Sequence, residues 1–223
     1  MSEYFFKTNE NCILSNNDLT ATFSTVGHAI LGECKTSGKF YWEMKCEVTN
    51  NICIGVGSEV IKTLTGNFAT SSNQQICFYG GTGNYYDGIS NYIYGNSFSS
   101  YPATISIFLD IDNKKIKFAL NGTIYSEIIL PSWNSYYPYI LANSTVLYPK
   151  VTGCFKRSSF SYSNIIPTGY LPYEVDLNEA TSSLSYINEN GYEKVEYSVP
   201  SYKIIDKIEG KFDLILFRKE GDQ

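Results

Sequence analysis

Short runs of β-branched and aromatic residues recur along this chain, separated by clusters of Gly, Asn, Ser and Asp. The clearest run extends from Lys39 to Val48, where every even-numbered residue is apolar and most odd-numbered residues are polar. This period of two predicts a half-buried strand with Trp42 in the core. No segment has the pattern of a long amphipathic helix. Many short strands joined by polar turns predict an all-β fold, a two-sheet antiparallel sandwich.

Turn signals lie between these runs. Ser15-Asn-Asn-Asp18 is a turn-rich tetrad, Asp112-Asn113 follows an apolar run, and Asn121-Gly122 is the strongest short hairpin signal in the chain. Asp110-x-Asp112-Asn113 lacks the later glycine and glutamate of a calcium loop and therefore predicts a turn. The further predicted strands are Ile13–Leu14, Leu19–Phe23, Ile52–Val56, Ile76–Tyr79, Thr104–Ile111, Lys115–Leu120, Tyr137–Ala142 and Gly153–Ser161.

The composition changes after Tyr173, which predicts three parts: a sandwich over residues 1–173, a polar and acidic linker over 174–185, and a C-terminal β meander over 186–223. The meander would contain two or three strands, drawn from 192–199, 202–208 and 211–218. Because an isolated hairpin is marginally stable in water, we expect this part to dock on the sandwich or on another chain.

Composition excludes several classes of function. A net charge of −5 argues against a nucleic-acid partner. Apolar runs far shorter than ~20 residues predict no membrane insertion, and the N-terminus shows no secretory signal. The six cysteines include no Cys-x-x-Cys and His28 is the single histidine, so we expect reduced, largely buried thiols and no metal or cofactor.

Two aromatic loops are the candidate binding elements. Gly80-Gly-Thr-Gly83 lacks the Lys-Ser/Thr of a phosphate-binding loop, but the residues after it combine aromatic rings with short polar groups, which suits sugar or peptide contacts. A plain surface loop is an equal alternative, and Trp133 is either a core plug or an exposed anchor. The candidate ligand-binding residues are Asn84, Tyr85, Tyr86, Asp87, Trp133 and Tyr136.

Several motifs, in order, resemble the SPRY domain family. They are Ser37-Gly-Lys-Phe-Tyr-Trp-Glu-Met-Lys45, Ile54-Gly-Val-Gly-Ser58, Tyr79-Gly-Gly-Thr-Gly-Asn-Tyr-Tyr-Asp-Gly88, Tyr94-Gly95, Ile107-Phe-Leu-Asp-Ile-Asp-Asn113, Ile116-Lys-Phe-Ala-Leu-Asn-Gly122 and Tyr137-Pro138. The resemblance covers about residues 12 to 173. It implies a lectin-like (concanavalin-like) two-sheet sandwich that recognises partners through end loops, without catalysis.

Two further motifs resemble bacterial and bacteriophage SPRY proteins: the opening Leu14-Ser-Asn-Asn-Asp-Leu-Thr-Ala21 and the closing Ile166-Pro-Thr-Gly-Tyr-Leu-Pro-Tyr173. The sequence departs from the family at Tyr101-Pro-Ala-Thr104, where family members often carry Gly-Asp. We therefore expect the segment that leads into the following strand to differ from that of the family.

These resemblances lead to three hypotheses. The first is a non-enzymatic bacteriophage virion protein of the tail, fibre or capsid that recognises another virion subunit or a host-surface protein or glycan, with a possible homo-oligomer through its C-terminal strands. The second is an intracellular, cytoplasmic adaptor that binds a peptide of a partner protein. The third is a carbohydrate-active enzyme with paired carboxylates, although no nucleophile or carboxylate motif is visible.

Overall fold

The structure is a computed structural model that describes residues 6–8, 11–31, 33–48, 51–63, 73–99, 102–142, 149–174, 181–188, 191–198, 202–208 and 214–219. The chain divides into two compact units, Met1–Tyr173 and Glu174–Gln223. The strands of the first unit are β1 (Phe6–Thr8), β2 (Cys12–Ser15), β3 (Thr20–Phe23), β4 (Gly27–Leu31), β5 (Lys39–Val48), β6 (Ile52–Gly57), β7 (Gln75–Tyr79), β8 (Tyr85–Tyr86), β9 (Asn91–Tyr92), β10 (Ala103–Asp110), β11 (Lys115–Leu120), β12 (Thr123–Ile124), β13 (Ile128–Ile129), β14 (Tyr137–Ala142), β15 (Lys150–Cys154) and β16 (Leu171–Pro172).

Two sheets form the first unit. Sheet A has the order β1-β4-β14-β6-β7-β8-β9, and sheet B has the order β12-β11-β10-β5-β15-β3-β2, with β13 also paired to β11. Among the strands that the structure describes, all pairings are antiparallel except that of β16 with β5. Within the described residues, helical structure consists of three short 3₁₀ segments, Glu59–Thr63, Arg157–Ser159 and Ser163–Ile165, and no helix could cross a bilayer. The predicted all-β sandwich is confirmed.

The main core lies between the sheets. Trp42 and Ile107 of sheet B pack in one cluster with Ile54, Phe78 and Ile140 of sheet A, and all five side chains are fully buried. Burying a side chain of this size stabilises a fold by roughly 1.5–3 kcal/mol, so this interface supplies much of the stability. The prediction that Trp42 is a core residue is confirmed.

The prediction that β5 is half-buried is wrong near Tyr41 and Glu43, which are both fully buried on the outer face of sheet B. We call residues 156–170 the strap, because this segment covers that face. Phe160 and Tyr170 of the strap pack against a cluster that contains Tyr41. Sequence alternation could not show this second layer, because the strap meets β5 only in the folded chain.

Glu43 fastens the strap to sheet B. Its carboxylate accepts hydrogen bonds from the backbone N–H groups of Ser161 (2.7 Å) and Tyr162 (2.8 Å), and from the Tyr41 hydroxyl (2.8 Å). The Lys45 ammonium also donates to the Ser159 carbonyl at 2.9 Å. A buried carboxylate is tolerated when its acceptor sites are filled in this way.

Several predicted elements need correction. The predicted strand Gly153–Ser161 ends at Cys154, because a 3₁₀ segment follows, and β4 was not predicted because its residues are buried on both faces and do not alternate. Asn121 and Gly122 have the positive φ angles that a tight hairpin requires, so that turn prediction is confirmed. Four of the six cysteines are buried, in agreement with the prediction that most are.

In its described residues, the second unit forms two hairpins. Strands β17 (Thr181–Asn188) and β18 (Gly191–Ser198) form one two-stranded sheet, and β19 (Tyr202–Ile208) and β20 (Leu214–Lys219) form another. The predicted linker over 174–185 is therefore shorter, because β17 begins at Thr181 and pairs in register with β18. Residues 175–180 of that linker lie outside the described residues. Two separate hairpins replace the single meander.

The bonds made by Glu43 predict the effect of its removal. Glu43→Ala would leave the backbone N–H groups of Ser161 and Tyr162 without their acceptor, while the Tyr41 hydroxyl would keep its bond to Ser106 Oγ at 3.0 Å. We expect the free energy of unfolding to fall by about 2–3 kcal/mol. Glu47→Ala on the same strand is the matched control, because Glu47 forms only an exposed pair with Lys150 and should change stability by less than about 0.5 kcal/mol. Urea unfolding of both variants measures this difference, and equal values would contradict the role of Glu43.

Candidate functional site

The residues of the first predicted loop form a turn and the start of a hairpin. Tyr85 and Tyr86 are strand β8, which pairs with β7 on one side and with β9 on the other. Asn84 belongs to the preceding turn, where its carbonyl accepts the Tyr79 N–H at 2.8 Å. The predicted loop is therefore shorter than expected, because its two tyrosines extend sheet A.

Tyr85 and Tyr86 point to opposite sides of sheet A. Tyr86 is 6% exposed and packs on the outer face with buried residues such as Cys77 and Tyr139. Tyr85 lies on the core side and stacks on Tyr92, with ring centroids 4.7 Å apart. Of this pair, only Tyr85 contributes to the ring system at the end of the sandwich.

Asp87 holds the turn between β8 and β9. Its Oδ1 atom accepts the N–H groups of Ile89 and Ser90, each at 2.8 Å, and its Oδ2 atom accepts the Tyr92 hydroxyl at 3.1 Å. A carboxylate with these partners fixes the backbone of a turn. Asp87 therefore fixes the conformation of the hairpin turn, and both of its carboxylate oxygens accept hydrogen bonds from residues of that hairpin.

The second predicted loop is mostly internal. Tyr136 is fully buried, and its hydroxyl donates to the Pro131 carbonyl at 2.7 Å and accepts from Lys114 Nζ at 3.2 Å. Trp133 is half-buried against the core, and its Nε1–H donates to the Asn73 carbonyl at 2.9 Å. Of the two interpretations of Trp133, the structure favours the core plug. These contacts do not include Tyr85 or Asp87.

Five rings connect the ends of the two sheets; we call them the aromatic joint. They are Phe78 of β7, Tyr85 of β8, Tyr94, Phe118 of β11 and Tyr125. Their centroids lie 5.4 to 6.1 Å apart in contacting pairs, mostly edge-on or tilted. Such pairs contribute about 0.5–1.5 kcal/mol each beyond the area that they bury. The joint closes the core where sheet A ends.

Tyr94 also bonds sheet A to sheet B. Its hydroxyl accepts the backbone N–H of Phe118 at 3.1 Å and donates to the Ser126 carbonyl at 2.7 Å. Burial raises the pKa of Tyr94 to about 12, so this hydroxyl remains a donor well above neutral pH. The next residue, Gly95, lies very close to the Tyr125 ring: a Cβ atom at this position would be 2.7 Å from it. The joint thus fixes the segment after β9 against the segment after β12.

Outside the joint, apolar side chains face the surface. We use the name open edge for this side of the sandwich, where β9 ends sheet A and where β12 and β13 end sheet B. Its exposed large apolar residues are Ile89, Tyr92, Ile93, Ile124 and Ile129, and Ile93 is 96% exposed. Five of the eight large apolar side chains that are exposed in the described part of the chain lie here.

These exposed residues were not predicted from the sequence, although one signal points to them. Asp87-Gly88 is a hairpin turn signal, and a strand after it would place Ile93 next to the turn. Two-residue strands such as β8 and β9 carry no periodicity that could show which side chains are exposed. In the described residues, no three Asp, Glu, His or Cys side chains converge to hold a metal ion.

Comparison with known proteins identifies the fold and the family. The family model of the SPRY domain matches residues 39–154, which is just over half of the sequence. The chain therefore belongs to the SPRY domain family, whose domains are generally protein-interaction modules. No curated protein matches the sequence.

Solved structures agree with this assignment at the level of the fold. The chain is similar to the SPRY domain of human HERC1, with a TM-score of 0.57 and 20% identity over 66% of this chain and 97% of that one. It is also similar to the TRIM65 PSpry domain, with a TM-score of 0.55 and 12% identity over 69% and 90% of the two chains. Stonustoxin matches with a TM-score of 0.55 and 14% identity over 68% of this chain and 27% of the toxin chain.

Proposed function

We propose that this chain is a non-enzymatic recognition module that binds a partner protein through its open edge. The observation that carries this proposal is that five of the eight exposed large apolar side chains of the described residues lie on or next to the end strands β9, β12 and β13. Apolar patches exposed on a folded domain are typical of interaction sites. Membership of the SPRY family supports a binding function.

The charges near the open edge also favour binding to an uncharged surface. Glu127 is paired with Lys115 at 2.7 Å and lies 3.7 Å from the Lys117 ammonium. Residues 1–173 contain eleven basic and eleven acidic residues, so the net charge of −5 resides in residues 174–223. A neutral sandwich has little long-range attraction for polyanions or polycations, and its recognition must depend on contact.

The engagement of the carboxylates argues against the enzyme hypothesis. A glycosidase needs two carboxyl groups free to act on a sugar from opposite sides. Glu43 and Asp87 both hold backbone N–H groups of this chain, and the Asp110 carboxylate accepts from Asn113 and pairs with Lys39 at 2.8 Å. These three carboxylates are held in hydrogen bonds or ion pairs within the sandwich, which supports a binding function over an enzymatic one.

As the setting of this module we propose a bacteriophage virion, in which the C-terminal hairpins attach the sandwich to neighbouring subunits. The resemblance of the opening Leu14–Ala21 and the closing Ile166–Tyr173 to bacterial and phage SPRY proteins supports this setting. Two-stranded sheets are marginal by themselves, and their free edges favour pairing with a neighbouring chain, including a second copy. The partner at the open edge would be a host-surface protein or another virion subunit.

A cell-binding measurement tests recognition by the open edge. Labelled full-length protein is expected to bind intact candidate host cells, or purified particles, and Ile93→Lys should reduce binding at least tenfold because it places a charge in an apolar contact. Ile13→Lys is the matched control, since Ile13 is 68% exposed on β2 at the other end of sheet B. Equal loss in both variants, or in neither, would contradict the site. Binding only to an isolated cytoplasmic protein would favour the intracellular adaptor.

Particle incorporation tests the virion setting. The full chain should copurify with virus particles, whereas a chain that ends at Tyr173 should remain folded and be absent from them, because it lacks the attachment hairpins. Circular dichroism of the shortened chain checks its fold, and mass spectrometry of purified particles checks its presence. A shortened chain found in particles at the full-length level would show that attachment does not need the hairpins.

A further inference from the structure

Strand β9 is the last strand of sheet A. Within the part of the chain that the structure describes, β8 is its one neighbour in the sheet. Asn91 and Tyr92 are both exposed, and no described strand pairs with the side of β9 that faces away from β8. Such an edge can accept a further strand.

The register of the hairpin shows which backbone groups face outward. Hydrogen-bonded and non-hydrogen-bonded pairs alternate along an antiparallel ladder. The bond from Tyr79 N–H to the Asn84 carbonyl makes the pair of Cys77 and Tyr86 a bonded pair as well. The backbone groups of Tyr86 therefore face β7, and those of its neighbour Tyr85 face β9.

The turn after β8 gives the same result independently. The Asp87 N–H donates to the Ser90 carbonyl at 3.3 Å, so Asp87 also faces the second strand. By alternation, Tyr85 and Tyr92 form the bonded pair of β8 and β9, and Tyr86 and Asn91 form the non-bonded pair. The N–H and C=O groups of Asn91 consequently point away from β8, toward the open side.

The side chains around Asn91 define what could lie there. Ile89 and Ile93, two residues before and two after, are 64% and 96% exposed. The acceptor atoms of Asp87 are occupied by the turn and by the Tyr92 hydroxyl, so this carboxylate does not need a cationic partner. A segment that lies along β9 would meet one backbone donor, one backbone acceptor and two uncharged aliphatic side chains.

The geometry points to β-strand addition at β9: the partner presents an extended, uncharged segment with apolar side chains, which pairs with the outward N–H and C=O of Asn91. This inference rests on the proposed function, since it specifies the partner at the open edge. In this mode main-chain bonds supply affinity, and alternate side chains supply specificity. Ile89 and Ile93 would contact the side chains of the added strand.

Two other occupants fit less well. A second copy paired through β9 would share only two strand residues from each chain, whereas a stable dimer usually buries about 1,200–2,000 Å². A glycan would need free polar groups, but the Asp87 carboxylate and the Tyr92 hydroxyl bond each other. The experiment treats both as outcomes that overturn strand addition.

The test uses peptides selected from a displayed random library on the immobilised full-length protein. A selected peptide is synthesised, and its affinity is measured by fluorescence anisotropy for the wild-type protein, Asn91→Pro and Asn91→Ala. Proline removes the outward N–H but leaves the β8 side of the ladder intact, a position that edge strands tolerate. Alanine keeps the N–H and removes only the side chain. Thermal unfolding checks that both variants fold.

Strand addition predicts that Asn91→Pro weakens binding about tenfold or more, while Asn91→Ala stays within about threefold of wild type. Selected sequences should be uncharged and rich in β-branched residues. If Asn91→Pro is unstable, alternate N-methylation of the peptide replaces it and should abolish binding to the wild-type protein.

Equal affinity in all three proteins, or equal loss in both variants, would overturn strand addition. So would failure to select any peptide, binding of oligosaccharides alone, or a wild-type dimer in sedimentation that Asn91→Pro dissociates. The cell-binding measurement separates these results from a failure of the proposed function: if the Ile93→Lys effect persists there, the open edge is still the recognition site and only the strand mechanism is wrong.

Discussion

The aromatic joint is the interaction on which the functional end of this sandwich depends. Phe78 and Phe118 belong to different sheets, and the rings of Tyr94 and Tyr125 lie between them. Because the Tyr94 hydroxyl bonds the backbone on the sheet B side, the segment after β9 has a fixed position. The joint closes the core, and as a consequence the isoleucines beside it remain at the surface.

The outer face of sheet B also carries apolar side chains, but the chain itself covers them. The strap covers Tyr41 and Phe108, and the Glu43 carboxylate fastens it by two backbone bonds. The apolar surface that β5 and β10 would otherwise present is therefore used inside the domain. The open edge carries most of the exposed apolar side chains of the described residues, which makes it the part of the sandwich best suited to a partner.

Sequence periodicity predicted the long strands well because their alternation is local. Strand β5 and the turn at Asn121-Gly122 depend on neighbouring residues, and both were found from the sequence. The candidate site was predicted less well. Tyr136 resembles a loop aromatic in the sequence, but its burial depends on Pro131 and on Lys114, which is 22 residues away. Likewise β8 becomes a strand through its pairing with β7, and β9 through its pairing with β8. The turn signal at Asp87-Gly88 is local, but it does not show that Ile93 is exposed.

Amide hydrogen exchange of the free protein, resolved by residue, tests the central claim most directly, namely that β9 presents an unpaired backbone at the open edge. We expect the Tyr92 amide to be protected, because it faces Tyr85, and the adjacent Asn91 amide to exchange close to the rate of an unstructured chain. Equal protection of the two amides would contradict it, because Asn91 would then have a partner and the edge would not be open.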